Sequence, residues 1–149
     1  MIDKVSAMTA ARTENVTIVD LFAGCGGLTQ GFHEFVPDGH TESPFRVLGA
    51  VEWDLAAATT YAANFASKAA GVGHIHIFAG DIKDWSPGEL NGEVDVILGG
   101  PPCQGFSALG KQDPEDPRNQ LWREYIRVVG KLQPKIFVIE NVDRFFRSP

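Results

Sequence analysis

Cysteine is almost missing from this chain: only Cys25 and Cys103 occur in 149 residues. Two thiols are too few for a disulfide framework or a four-ligand structural zinc site. The four histidines, with His74 and His76 nearly adjacent, lack companion ligands, so no metal is expected. No apolar run approaches the ~20 residues of a membrane span, and the N-terminus lacks a signal peptide's apolar core. A reducing cytoplasm is the compartment these features imply. Positive charge is also short, with 13 Lys and Arg against 19 Asp and Glu, for a net charge of -6. That balance argues against a self-sufficient nucleic-acid binder, because phosphate contacts draw on Lys and Arg. Internal repeats and low-complexity tracts are absent. What remains is an ordinary globular composition, 44% hydrophobic and 21% charged, at a length suited to one domain.

Residues 1–14 are polar and aperiodic and read as a mobile lead-in. Val16 to Leu21 is a first apolar strand, followed by Phe22-Ala23-Gly24-Cys25-Gly26-Gly27. Leu28, Phe32, Phe35 and Val36 then recur at helical spacing. Strand, glycine turn and helix form a nucleotide-type βα unit, in which a ligand approaches the backbone closely and the helix N-terminus favours an anion. A dinucleotide fingerprint would need glycine where Thr29 stands, which disfavours a nicotinamide cofactor. Cys25 reads as packing inside this turn.

A second strand, Phe45 to Val51, ends at Glu52-Trp53-Asp54. Asp54 is placed to cap a helix running to about Phe65, with Leu55, Ala58, Ala62 and Phe65 on its apolar face. Ile75 to Ala79 is a third strand, ending at Gly80-Asp81. Ser86-Pro87-Gly88-Glu89 has capping-box spacing for a single helical turn. Val94 to Leu98 is strand four. A helix is expected from Asp116-Pro117, its stripe formed by Leu121, Tyr125, Val128, Val129 and Leu132. Arg123, Arg127 and Lys131 read as its solvated face. Ile136 to Ile139 is the fifth strand, ending in Glu140-Asn141.

The order predicts an α/β fold with a doubly wound, mostly parallel sheet, incomplete at its C-terminal edge where strand five is left unpaired. The glycine turn, Glu52, Asp81, Cys103 and Glu140 all follow strands, so they share one rim, where open α/β sheets bind ligands. Glu52 is placed for ribose hydroxyls, Trp53 for stacking on a flat ring, and Asp81 for an exocyclic amine. Taken singly, each has a plainer reading as a solvated carboxylate, a core tryptophan or a turn aspartate. Together after a glycine turn they favour an adenosine site. The aperiodic stretch 101–116 is longer than most loops, and Gly105 and Gly110 make it a candidate lid.

Strand four runs into Gly99-Gly100-Pro101-Pro102-Cys103-Gln104-Gly105-Phe106-Ser107, where glycine and proline end the strand and stiffen the turn. A free cysteine is usually a small buried hydrophobe. Its neighbours here suggest otherwise. This block, with Asp20-Leu21-Phe22-Ala23-Gly24, Glu52-Trp53, Gly80-Asp81-Ile82 and Glu140-Asn141-Val142, resembles the ordered motifs of the DNA cytosine-5 methyltransferases over about residues 16–146. The resemblance implies a Rossmann-like fold and S-adenosylmethionine as cofactor. It assigns Phe22, Gly24 and Gly26 to wrapping the cofactor, Glu52 to the ribose, and Trp53, Asp81 and Ile82 to the adenine. Pro101 and Leu121 match further cofactor positions.

The same resemblance makes Cys103 the nucleophile, Glu140 the acid and Arg118 an assistant at the flipped base. Gln104 and Ser107 would lie on the lid beside DNA, although plain loop polarity explains them almost as well. Cytosine C5 is a poor nucleophile until a thiolate adds to C6. An ordinary thiol is only a few per cent ionised at neutral pH, and no histidine lies near Cys103 in sequence to act as base. Protonation of N3 by Glu140 would therefore share the activation, which calls for a carboxyl kept in its acid form by burial. The base must leave the duplex to be reached.

Residues 15–149 thus match the N-terminal part of the catalytic domain, and the family's target-recognition region is absent. The expected setting is DNA methylation in restriction–modification. The expected partners are duplex DNA and a C-terminal portion or second subunit, without which the fragment should be inactive. An RNA (tRNA) cytosine-5 methyltransferase half and a non-catalytic S-adenosylmethionine-binding module stay open as alternatives.

Overall fold

Five short apolar runs become strands, and their order across the sheet differs from their order in the chain. The computed structural model describes residues 15–66, 74–90, 92–102 and 120–142. The strands are β1 (Val16–Leu21), β2 (Phe45–Glu52), β3 (His76–Ala79), β4 (Val96–Gly99) and β5 (Ile136–Ile139). All pair in parallel, in the order β3-β2-β1-β4-β5. The helices are α1 (Gly27–Glu34), α2 (Leu55–Phe65) and α3 (Leu121–Leu132), with one 3-10 turn at Pro87–Glu89.

β1 sits at the centre and is covered on both faces, which is why its sequence is a nearly unbroken apolar run. Ile18, with Val96 and Leu98 of β4, packs against Leu28 and Phe32 of α1. Val19 and Leu21 point the other way, to Trp85, Tyr125 and Val128. Ile18, Val19, Leu21, Ile97 and Leu98 are all fully buried, each contributing about 1.5–3 kcal/mol of hydrophobic stabilisation.

The chain moves outward from β1 to β2 and β3, then returns to place β4 on the opposite side of β1. Between β1 and β4 the winding therefore reverses, and a crevice opens above the carboxyl ends of the strands there. This switch point positions the site.

Several expectations are corrected in detail. β2 extends to Glu52 and carries an extra residue, Leu48, where the β1 pairing shifts between Ile18 and Val19. β3 begins at His76 rather than Ile75, and β4 at Val96 rather than Val94. Ser86 makes no side-chain cap, and its segment forms only a 3-10 turn. On α2, Asp54 does cap, accepting from the Ala57 N–H at 2.8 Å. That helix buries Ala58, Tyr61 and Phe65, while Leu55 is exposed. The polar tip of Tyr61 hid its place in the apolar stripe.

β5 occupies one edge of the sheet. Ile136 and Phe137 are 59% and 52% exposed, so neither face of this strand is fully covered by the described residues. The strand's entry is fixed by Asp95, whose carboxylate meets Lys135 Nζ at 2.6 Å and the Thr17 N–H at 2.9 Å. These partners, Lys135 first, lower its pKa to about 2.

Candidate active site

The glycine turn leaves β1 through a residue seldom found in its conformation. Phe22 has φ 58°, the left-handed region that bulky side chains avoid at a cost of about 1–3 kcal/mol. That turn of the backbone puts the Phe22 side chain on the crevice wall. Gly26 has φ 93°, and a Cβ there would lie 2.3 Å from Phe65 Cε2 and 3.0 Å from Tyr61 Cδ2. Only glycine lets the start of α1 lie this close to α2.

Beneath the turn lies a polar chain inside the core. Thr29 Oγ1 donates to Asp20 Oδ2 at 2.6 Å and stands 2.9 Å from the Tyr61 hydroxyl. A hydroxyl has one proton, so with Asp20 ionised Tyr61 donates to Thr29. Thr29, found where a dinucleotide motif has glycine, thus supports Asp20 from α1. Asp20 is 1% exposed and its Oδ1 has no hydrogen-bond partner among the described residues. Burial raises its pKa to about 6, against the lowering effect of Thr29, and the nearby Glu52 charge adds to the rise. Burial also raises the Tyr61 phenol above its ordinary value.

The crevice holds about 560 Å³, within the range of small-molecule sites. Phe22, Glu52, Trp53, Asp81, Ile82 and Leu121 line it, six of the nine residues assigned to the cofactor. Glu52 is preset by the backbone: Oε2 accepts from the Gly24 N–H and Oε1 from the Asp54 N–H, both at 2.8 Å. Each oxygen keeps a lone pair for a further donor. Asp81 uses Oδ1 on the Lys83 N–H at 3.0 Å. Trp53 is 72% exposed, its ring uncovered. The remaining three assigned residues are not among those lining it. Gly24 and Gly26 shape the turn, and Pro101 is buried while Pro102 faces the crevice.

Sequence reasoning missed Val51, Gly80, Lys83, Gly100 and Pro102 among the lining residues. Gly100 and Pro102 flank Pro101 in the motif already singled out. Lys83 carried no signal beyond its place two residues after Asp81.

Glu140 stands at the carboxyl end of β5, its N–H bonded to the Gly99 carbonyl at 3.0 Å. A Cβ on Gly100 would come within 3.0 Å of Glu140 Oε2, so glycine at 100 leaves room for this carboxylate beside the turn after β4. Asn141 Nδ2 donates to the Pro101 carbonyl at 3.0 Å, tying the two motifs together. Glu140 is exposed among the described residues, so the burial its acid role calls for is not supplied by them. Cys103, Gln104, Ser107, Arg118 and most of the candidate lid lie outside the described residues, as does the expected helix start at Asp116-Pro117.

Two further readings are corrected. Cys25 is exposed, not packed, because it sits between two glycines with positive φ. Arg127 is not on a solvated face. Its Nη2 donates to the Ile82 carbonyl at 2.8 Å and its Nε to Glu124. Arg123 and Lys131 are exposed as expected.

An open parallel sheet with its crevice at the switch point, lined by Glu52 at the end of β2 and Asp81 after β3, is a Rossmann-like architecture with its ligand crevice at the usual place. The family model for C-5 cytosine-specific DNA methylases matches residues 16–148, and the chain belongs to that family. The Type II methyltransferase M.DdeI of Desulfomicrobium norvegicum is 40% identical over 130 residues, 85% of this chain and 28% of that protein. M1.HphI of Haemophilus parahaemolyticus is 39% identical over 140 residues, 89% of this chain and 34% of that protein. This chain thus spans only about a third or less of these two relatives. M.HgiGI of Herpetosiphon aurantiacus is 34% identical over 128 residues, 85% of this chain and 90% of that protein.

Proposed function

We propose that this chain is the cofactor-binding and catalytic portion of a DNA cytosine-5 methyltransferase, working in the cytoplasm with a C-terminal portion or second subunit that carries target recognition. The observation that carries the reading is a single crevice: the adenosine-type wall of Phe22, Glu52, Trp53, Asp81 and Ile82 adjoins the Gly100–Pro102 turn, where Glu140 stands. S-adenosylmethionine is the proposed cofactor and supplies a methyl group on a sulfonium. Glu52, oriented by two backbone N–H groups, accepts from the ribose hydroxyls. Asp81 Oδ2 accepts from the exocyclic amine of adenine, and Trp53 offers a ring face.

Cys103 follows directly on this turn. Its thiolate adds to C6 of a flipped cytosine while Glu140, in its acid form, protonates N3, with Arg118 assisting at the base. The new C6–S bond would leave an enamine whose C5 displaces the methyl group from the sulfonium, with S-adenosylhomocysteine as the leaving thioether. The C5 proton would then pass to a solvent base, and cleavage of the C6–S bond, with the N3 proton returning to the Glu140 carboxylate, would regenerate the thiolate and restore the aromatic ring. Glu140 is exposed in the described structure, so in this reading the flipped base and DNA complete its enclosure. Gln104 and Ser107 would meet the DNA. The edge at Ile136 and Phe137 that the described residues leave uncovered, the net charge of -6 and the share of M.DdeI and M1.HphI that is matched all support a separate recognition portion.

The test is transfer of labelled methyl from S-adenosylmethionine to duplex DNA and to tRNA. It is run by residues 1–149 alone and by the same residues joined with the C-terminal portion of a relative such as M.DdeI. The fragment should show no turnover and the completed enzyme should methylate DNA. Robust turnover by the fragment would overturn the split, and methylation of tRNA alone would overturn the substrate.

A further inference from the structure

The segment after β3 forms one side of the crevice; Ile82 and Trp85 bury its apolar side in the core, while its polar bonds are mostly local. β3 is four residues long, sits at the sheet edge opposite β5 and, among the described residues, pairs only with β2. Beyond it, Asp81 to Trp85 is a turn closed by local bonds: Lys83 N–H to Asp81 Oδ1, Asp84 N–H to the Asp81 carbonyl, and Trp85 N–H to the Ile82 carbonyl at 3.3 Å. Such bonds shape the turn, and the burial of Ile82 and Trp85 holds it to the core without a directional bond to set its register.

Arg127 supplies a long-range polar anchor. It lies on α3, 45 positions away in the chain, and its Nη2 reaches the Ile82 carbonyl at 2.8 Å. Glu124, one turn earlier on the same helix, binds Nε and holds the guanidinium plane. Both side chains are mostly buried, at 29% and 23% exposed, so this contact is screened less than a surface pair. The same helix begins at Leu121, which lines the crevice together with Ile82. One rigid element therefore carries an apolar wall and also the strap that fixes Ile82.

We propose that Arg127 is a positioning residue of the cofactor site: through the Ile82 carbonyl it sets the spacing between Ile82 and Leu121, and so the fit of the adenine ring and its selection by Asp81. The proposal rests on the adenosine reading of the crevice. Arg127 touches no ligand itself. With the strap cut, the Asp81–Lys83 turn keeps its local bonds and the apolar burial of Ile82 but loses its directional bond to α3, and Asp81 meets an exocyclic amine less precisely.

The test is an amide-resolved NMR titration of residues 1–149 with S-adenosylhomocysteine and with its inosine counterpart, which has a carbonyl in place of the amine. The wild-type chain should prefer the adenosine ligand. Arg127→Ala should weaken adenosine binding by about tenfold, the equivalent of one charged hydrogen bond, and bring the preference close to one. Arg127→Lys keeps one donor and should retain most of the preference, which keeps the test open if the alanine variant folds poorly. General destabilisation would weaken both ligands alike and leave the ratio unchanged, and that result would overturn the proposal. So would an unaltered ratio in a well-folded Arg127→Ala. Failure of the wild-type chain to bind either ligand at millimolar concentration would instead remove the adenosine reading, and this inference with it.

Discussion

Asp20 shows what a single buried carboxyl does to the whole chain's response to pH. Its pKa is raised from 3.8 to about 6, so between those values the folded protein holds a proton that the unfolded chain has released. Its stabilising contribution is full below the unfolded pKa and is lost as pH rises through the folded one, a change of about 3 kcal/mol at most. Asp20→Asn removes the titration. The difference in unfolding free energy between wild type and variant, measured by urea denaturation at pH 4 and pH 7.5, should therefore shift by about that amount toward the variant. A constant difference would show that Asp20 does not titrate in this window. At the crevice, Glu52→Gln puts an amide N–H against a backbone donor and removes a charged acceptor. It should weaken S-adenosylhomocysteine binding by about tenfold, read by the same titration that gives the wild-type affinity.

Helix α1 contains two glycine experiments with opposite signs. Gly26→Ala meets both a left-handed backbone and the rings of Phe65 and Tyr61, so it should cost about 2–4 kcal/mol. Gly31→Ala, inside α1 with nothing within 4 Å of the new methyl, should stabilise by about 0.5–1 kcal/mol. Urea unfolding of both variants checks the pair. The elements themselves were legible in the sequence because strand and helix periods differ and turn residues mark their ends. Phase was less legible. On α2 the Asp54 cap set the start as expected, but Tyr61 rather than Leu55 went inward, because its hydroxyl found Thr29. Arg127 shows the same limit on α3: charge at four-residue spacing marks a helix face but does not reveal a backbone carbonyl from another element waiting there. Lys83 was missed for a similar reason, since only the crevice's shape identifies it as wall.

At the scale of the molecule, the switch between β1 and β4 brings the turn at Phe22 and the turn at Gly100–Pro102 to one crevice, and the described residues leave β5 as an apolar edge. If a further portion completes the sheet, amides of Ile136–Ile139 should exchange slowly in the completed enzyme and quickly in residues 1–149 alone; equal rates would place the recognition portion elsewhere. The described part of the rim was readable from sequence because the glycine turn, Glu52, Asp81 and Glu140 stand at or just past strand ends. The exposure of Glu140 was not, because chemistry states that a carboxyl must be enclosed without saying what encloses it. The central claim is that Cys103 forms the bond to cytosine. Its most direct test is mass spectrometry of a completed enzyme that methylates DNA, incubated with S-adenosylmethionine and duplex DNA carrying 5-fluorocytosine at the target. The account predicts a covalent adduct on the peptide containing Cys103, lost in Cys103→Ser. An adduct on another residue, or its absence from an enzyme that does methylate, would contradict it.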